Sequence, residues 1–336
     1  MIYAPHTFEL TLYLGYEKFT ELTKRAIKKS RKKHRFFQDS FDENISHDES
    51  LKKYGIRIMY IWNDYKKRIL LVVNPSKLLG GDDIPKLWKP NKNNITQTLD
   101  ALEMLIDEYF DSEYELDDFK LTRMDFTVNI NLKTREAVSD YIKVLHNLGK
   151  VKGYSQIKDV DWIKKELAFV LQGNSNDIAF WAYDKEGREE LLKVPKYRLK
   201  SARGILRIEI QVTTNKALLR FTDKGTTGKQ IKSLAKNSEA IFMYNFNSIM
   251  PHGGFYKKNK AEKLIQEAAF SKRDKEKMLR LTELIPKKKS LLRAQKELKS
   301  KDIKGIMKKF EDLNVCPVTI SKRHGVKHLK SLYSYL

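Results

Sequence analysis

The chain has 336 residues, enough for one large domain or two modest ones, and a net charge of +23 from 66 Lys and Arg against 43 Asp and Glu. Such a field suits a polyanionic partner and favours nucleic acid over a membrane, because no run approaches the roughly 20 apolar residues that a span needs. The single cysteine, Cys316, excludes internal disulfides and cysteine-based zinc sites, and His6 and Glu9 inside the first apolar stretch do not fit a signal peptide, so a cytoplasmic protein is expected.

Thr7 to Tyr13 alternates apolar and polar residues and predicts a strand. Tyr16 to Arg35 predicts a helix that becomes intensely basic: Lys24 to Arg35 holds eight Lys/Arg and no acid, either a solvated helix end or a phosphate-binding patch. Asp39 to Ser50, acidic and polar, reads as a loop. Ile56 to Trp62 and Arg68 to Asn74, joined by residues 63–67, predict a β-hairpin. Leu79 to Asn94, with Gly80, Gly81, Pro85 and Pro90, predicts irregular structure. Thr96 to Phe110 places Leu99, Leu102, Leu105, Ile106 and Tyr109 on one helical face.

Leu121 to Ile130 predicts a strand and Thr134 to Leu148 a helix. Leu167 to Leu171, the turn-forming Gly173-Asn-Ser-Asn-Asp177, and the run to Tyr183 predict a hairpin that delivers Tyr183 to a strand end. Asp184 to Leu192 turns helical, Lys193 to Arg203 reads as basic and irregular, and Gly204 to Val212 is a further strand. No glycine-rich phosphate loop, zinc signature or internal repeat occurs. After about residue 215 strand patterns stop. Lys229 to Phe246 reads as helix, Pro251-His-Gly-Gly254 as a break, and the rest as helices interrupted at Pro286, with one extended segment at 313–320. Residues 251–336 hold 23 Lys/Arg against 9 Asp/Glu, a net +14. This composition shift predicts a first domain over 1–215 and a basic, mainly helical region over 216–336.

Three strands carry the chemistry. In 121–130, Met124, Phe126, Val128 and Ile130 alternate with Arg123, Asp125, Thr127 and Asn129. In 204–212, Leu206, Ile208, Ile210 and Val212 alternate with Arg207, Glu209 and Gln211. Asp177, Trp181 and Tyr183 share one face of the third. Alternation means one face on a core and, by expectation, one open face. Asp125, Glu209 and Asp177 supply oxygen ligands suited to Mg²⁺ or Mn²⁺, which would orient a scissile phosphate. Arg123, Arg207 and Lys185 would offset developing negative charge. A tyrosine hydroxyl, with an ordinary pKa of about 10, needs such help to attack, and Lys185 lies two residues from Tyr183. The structural reading is as simple: Arg-x-carboxylate pairs form cross-strand ion ladders, and most of the sixteen tyrosines pack.

The order Leu-Thr-Arg-Met-Asp-Phe-Thr-Val-Asn-Ile, then Asn-Asp-Ile-Ala-Phe-Trp-Ala-Tyr-Asp-Lys, then Ile-Leu-Arg-Ile-Glu-Ile resembles the rolling-circle replication initiators of filamentous phages and small plasmids, the gene II/X type and the plasmid initiation factors. Residues 120–212 carry the resemblance, and Leu313-Asn-Val-Cys-Pro-Val-Thr-Ile320 is similar to the end of phage-type members. The resemblance implies a strand transferase that nicks an origin and stays attached through a 5′-phosphotyrosyl link, with Tyr183 at the Tyr-x-Lys position and Asp125 and Glu209 at the acidic strand positions. Related initiators bind metal through a His-hydrophobic-His pair, which is absent here, so carboxylates would have to replace it. Tyr197-Arg-Leu-Lys200 fits the Tyr-x-x-Lys pattern of other initiators and is the second candidate nucleophile.

The expected architecture is therefore α+β, a mostly antiparallel sheet with helices packed on one face, followed by the basic region for duplex DNA. Expected partners are origin DNA, a host helicase and polymerase, and a second copy of the chain. A conjugative relaxase and a non-enzymatic nucleic-acid-binding protein are the alternatives.

Overall fold

The structure is a computed structural model that describes residues 1–29, 34–38, 43–81, 84, 86–158 and 161–336. Its strands are β1 (Ala4–Leu14), β2 (His34–Gln38), β3 (Asn44–Asp48), β4 (Ile56–Trp62), β5 (Lys67–Val73), β6 (Lys120–Asn131), β7 (Tyr154–Gln156), β8 (Ala168–Gly173), β9 (Ile178–Asp184) and β10 (Ile205–Val212), with a short pair, β11 (Phe255–Tyr256) and β12 (His328–Leu329). The fold is α+β with a large antiparallel sheet. No helix among the described residues is long and apolar enough to cross a membrane.

The chain packs as two compact units, and the region 216–336 contributes to both. One unit, here the amino-terminal unit, joins Ile2–Thr127 to Gln211–Phe242. The other, the carboxy-terminal unit, joins Met1 and Val128–Ile210 to Met243–Leu336. Strands β6 and β10 pass from one unit into the other.

In the amino-terminal unit the strand order is β2-β3-β4-β5-β1-β6, antiparallel at every step. The predicted hairpin is β4–β5, closed by Asn63, whose side chain accepts from the Tyr65 and Lys66 amides. The helix Tyr16–Lys29 buries Phe19, Leu22 and Ala26, and Phe19 sets its ring against Tyr60 and Trp62 of β4. The helix Lys92–Tyr109 starts at Asn91, whose side chain accepts from the Asn94 amide, and buries Ile95, Leu102, Leu105 and Ile106.

Two expectations fail here. The first helix ends at Lys29 and strand β2 starts at His34, so the basic run to Arg35 is not one helix; Ser30–Lys33 lie outside the described residues. The acidic stretch read as a loop contains strand β3, which pairs with both β2 and β4, while 39–42 lie outside the described residues. Strand pairing supplies every backbone partner that β3 lacks by itself, so polar composition does not keep it out of the sheet.

In the carboxy-terminal unit the order is β6-β10-β9-β8-β7. The hairpin delivering Tyr183 is present as β8–β9, with Ala168 opposite Tyr183 and Asn176 in the left-handed conformation at its turn. The helix Arg135–Leu148, capped by Thr134, sends His146 against Phe169 of β8. The stretch read as irregular, Lys193 to Arg203, contains a helix, Lys196–Ala202. Farther on, the helix Lys272–Lys288 continues through Pro286 for its last residues, giving up one backbone hydrogen bond. Segment 313–320 makes isolated parallel bridges, Val315 with Gly254 and Ile320 with Lys257, and no continuous strand.

The last third of the chain is stitched to the Arg135–Leu148 helix. The Tyr141 hydroxyl donates to the Lys330 carbonyl at 2.9 Å, and the Lys150 carbonyl accepts from the Ser290 hydroxyl and the Leu292 amide. Gly149 makes that seam possible. Its φ of 57° and ψ of −130° belong almost only to glycine, and a Cβ would run into the Lys289 carbonyl. Gly149→Ala should therefore lower stability by about 3 kcal/mol or more in urea unfolding. Gly153→Ala, at φ 82° with nothing within 4 Å, should cost only the left-handed strain of about 1 kcal/mol. Equal losses from the two would show that the seam at 149 and 289 does not form.

Candidate active site

Tyr183 is the penultimate residue of strand β9, two residues before a helix begins. It is fully buried, packed with Ile163, Ala168 and Val170, and Trp181 lies against the same cluster. Burying a phenol leaves its hydroxyl in need of partners, and two are in place. The hydroxyl donates to Glu209 Oε1 at 2.6 Å and accepts from Arg188 Nη1 at 2.5 Å. Glu209, on β10, is itself buried. The Arg188 guanidinium also lies 5.0 Å from the centre of the Tyr183 ring and 4.0 Å from Glu209. Burial pushes the Tyr183 pKa well above its ordinary value, while the Arg188 charge acts the other way.

Arg188 comes from the helix Lys185–Leu191, which starts straight after Asp184. A strand that runs directly into a helix folds the first helical turn back over its own last residues, which is how residue 188 reaches residue 183. The junction is braced from outside: Arg135 donates to Asp184 at 2.9 Å and makes a two-pronged pair with Glu190. Burial raises the Asp184 pKa, against the Gly187 amide and Arg135, which lower it. Gly187 leaves room for this brace, since a Cβ there would stand 2.7 Å from Asp184 Oδ2.

The other residues singled out from sequence lie as follows. Lys185 is buried and its ammonium pairs with Glu189 at 3.0 Å. Arg207 is buried and its Nε donates to Asn129 at 2.7 Å. Asp177 precedes β9 and Tyr183 nearly ends it, so six residues of strand, about 20 Å, separate them; Asp177 does not join the Tyr183–Glu209 pair. Tyr197 is 71% exposed, on the helix Lys196–Ala202.

In the amino-terminal unit, Arg123 clasps both oxygens of Asp125 at 2.8 and 2.9 Å and reaches Glu9 Oε1 at 3.1 Å. Glu9 sits opposite Arg123 in the β1–β6 ladder, so the arrangement is a cross-strand ion pair. The open polar face expected of these strands is closed: Asp125, Arg207 and Glu209 are all buried. Alternation separates two faces; it does not say that either meets water. Among the described residues no group of three or more His, Cys, Asp or Glu side chains stands where it could hold a metal ion.

The residue that sequence reasoning missed is Arg188. Helical spacing over 184–192 was visible, but the residue between Lys185 and Glu190 that reaches the tyrosine depends on where the helix starts.

A net charge of +23 on an α+β scaffold is the electrostatic footprint of a protein that meets polyanions. Residues 29–309 match the family described as the N-terminal part of the phage gene II replication-associated protein, and the chain belongs to that family of phage replication proteins. No curated protein matches it.

The Arg123–Asp125 clasp generates a stability prediction. Arg123→Ala leaves a buried carboxylate without its two-pronged partner, which should cost about 2–4 kcal/mol in urea unfolding, whereas Arg123→Lys should recover part of that. An alanine variant as stable as the parent would mean that Asp125 finds another cation or water.

Proposed function

We propose that the protein is a rolling-circle replication initiator that nicks one strand at an origin and becomes attached to it through Tyr183. The observation that carries this reading is the short hydrogen bond from the Tyr183 hydroxyl to Glu209, with Arg188 on the same oxygen. The resemblance in sequence and the membership of a replication-associated family support it.

The chemistry follows from the burial. A phenol whose pKa is raised carries almost no phenolate at neutral pH, so its proton has to leave as the oxygen attacks. Glu209 is the acceptor at hand. The phenolic oxygen would form a bond to the scissile phosphorus as the bond from phosphorus to the 3′ oxygen breaks. The leaving oxygen takes up a proton to become a 3′-hydroxyl, and the 5′ phosphate stays on the tyrosine. Arg188 offsets negative charge on the attacking oxygen and then on the phosphate. That role was expected of Lys185, whose ammonium instead braces Glu189 one turn along the helix. The reaction runs backwards through the same atoms, which permits religation.

Mg²⁺ or Mn²⁺, with Asp125, Glu209 and Asp177 as ligands, belongs to the same reading. As arranged these residues do not fit an ion. Asp125 gives both oxygens to Arg123, Glu209 takes the tyrosine hydroxyl, and Asp177 lies a strand length from Tyr183. No step above passes through a metal. The basic region 216–336 is proposed to hold the duplex flanking the nick, and the bacterial cytoplasm is the proposed place of action.

Incubating the protein with the supercoiled circle that carries its gene, with Mg²⁺, Mn²⁺ or a chelator, tests both parts. Open circles and a peptide adduct at Tyr183 are expected, and Tyr183→Phe should abolish both. Arg188→Ala should slow nicking by roughly a hundredfold or more while leaving DNA binding near normal. Adduct formation that survives in Tyr183→Phe and disappears in Tyr197→Phe would assign the chemistry to Tyr197. An intact circle throughout would leave a binding protein, and full activity in chelator would remove the metal.

A further inference from the structure

The carboxy-terminal unit holds a cleft of about 790 Å³ that the chemistry above does not use. Six cationic side chains line it, Lys143, Lys158, Lys258, Lys289, Lys322 and Arg323, against one acid, Glu166. They come from separate parts of the chain. Lys143 sits on the helix Arg135–Leu148, Lys158 follows β7, and Lys258 opens the helix Lys258–Glu267. Lys289 lies at the left-handed end of the helix Lys272–Lys288, and Lys322 and Arg323 follow Ile320. Their convergence is a product of the fold and not of one basic run.

Elsewhere on this unit lysines are neutralised along their own helices, as in Lys263–Glu267, Lys287–Glu283 and Lys308–Glu311. Among the described residues only Lys258 of the six has an ion-pair partner, Glu262 at 3.5 Å. Concentrating unpaired like charges in a concavity is unfavourable until a polyanion enters, and low-dielectric walls then strengthen the attraction. Asn147 and Gln156, also in the wall, offer neutral hydrogen-bonding groups, and His146 beneath them is kept towards its neutral form by burial.

The size selects the polyanion. A concavity of this volume admits a few nucleotides of one strand. Both paired strands of a duplex would need more room than a concavity of about 790 Å³ provides. The cleft also adjoins the tyrosine cluster, because Ile163 lines it and packs in the buried cluster with Tyr183.

We propose that this cleft binds the phosphate backbone of single-stranded DNA, holding the strand that Tyr183 cuts. The identity of that strand rests on the nicking reading; the binding itself does not. The test uses the full chain and a fluorescein-labelled oligothymidine of 12 nucleotides, followed by anisotropy over a salt series. Lys143→Ala/Lys158→Ala/Lys322→Ala removes three exposed charges from the cleft wall. Each lost phosphate contact on a single strand flattens the slope of log K against log salt by roughly 0.7, so a change of about 2 is expected, with at least a tenfold weaker affinity at low salt. The matched variant Lys66→Ala/Lys89→Ala/Lys120→Ala, at exposed positions of the amino-terminal unit outside 216–336, removes the same net charge and should change the slope little. Equal effects from both variants, or an equal loss of binding to a 12-base-pair duplex, would overturn the proposal. A parent protein that binds the oligothymidine through the cleft but never nicks a circle would retire the nuclease reading alone. A parent that nicks while the cleft variant binds normally would retire the cleft alone.

Discussion

A charged or hydroxyl group taken out of water must find a partner, or it costs several kcal/mol, and this constraint shapes the central strands. In the carboxy-terminal unit the polar members of β9 and β10 are as buried as the apolar ones. Tyr183 and Glu209 satisfy each other and Arg207 turns to Asn129. In the amino-terminal unit Asp125 survives burial because Arg123 occupies both its oxygens, and Arg123 in turn reaches Glu9. Each group is held in one orientation by the requirement that its neighbour be satisfied too.

The same constraint bears on the chemistry proposed for Tyr183. A solvated tyrosine would attack from a small standing fraction of phenolate. A buried one has less of it, so the base has to be adjacent, and Glu209 is. Arg188 keeps the oxygen aligned from the other side, and its own helix is fixed by Arg135 across Asp184 and Glu190. The proposed nucleophile is thus supported through the strand-to-helix junction as much as through its direct contacts.

Charge is distributed with similar economy. A net +23 says only that a polyanion is favoured. Many of the lysines in the last third of the chain pair with glutamates three or four positions away, exposed and solvent-screened contacts that offset part of their field. The field that remains is concentrated where five of six cations around one cleft lack such partners among the described residues.

The strands that carry local signals were legible in the sequence. The β4–β5 and β8–β9 hairpins, the Arg135–Leu148 helix and the strands at 121–130 and 204–212 each follow from alternation, helical spacing or turn residues within a dozen positions. The places of Tyr183 and Glu209 on such strands were legible too. Strand β3 and the helix Lys196–Ala202 were not, because neighbours in space and not their own composition stabilise them. Arg188 was not, because its partner depends on the point at which strand gives way to helix. The polar row of Asp125, Arg207 and Glu209 was visible as a row, but whether it met water was not. Alternation is a property of one strand, settled by backbone geometry, whereas exposure and pairing depend on what residues far away in the chain lay over that strand.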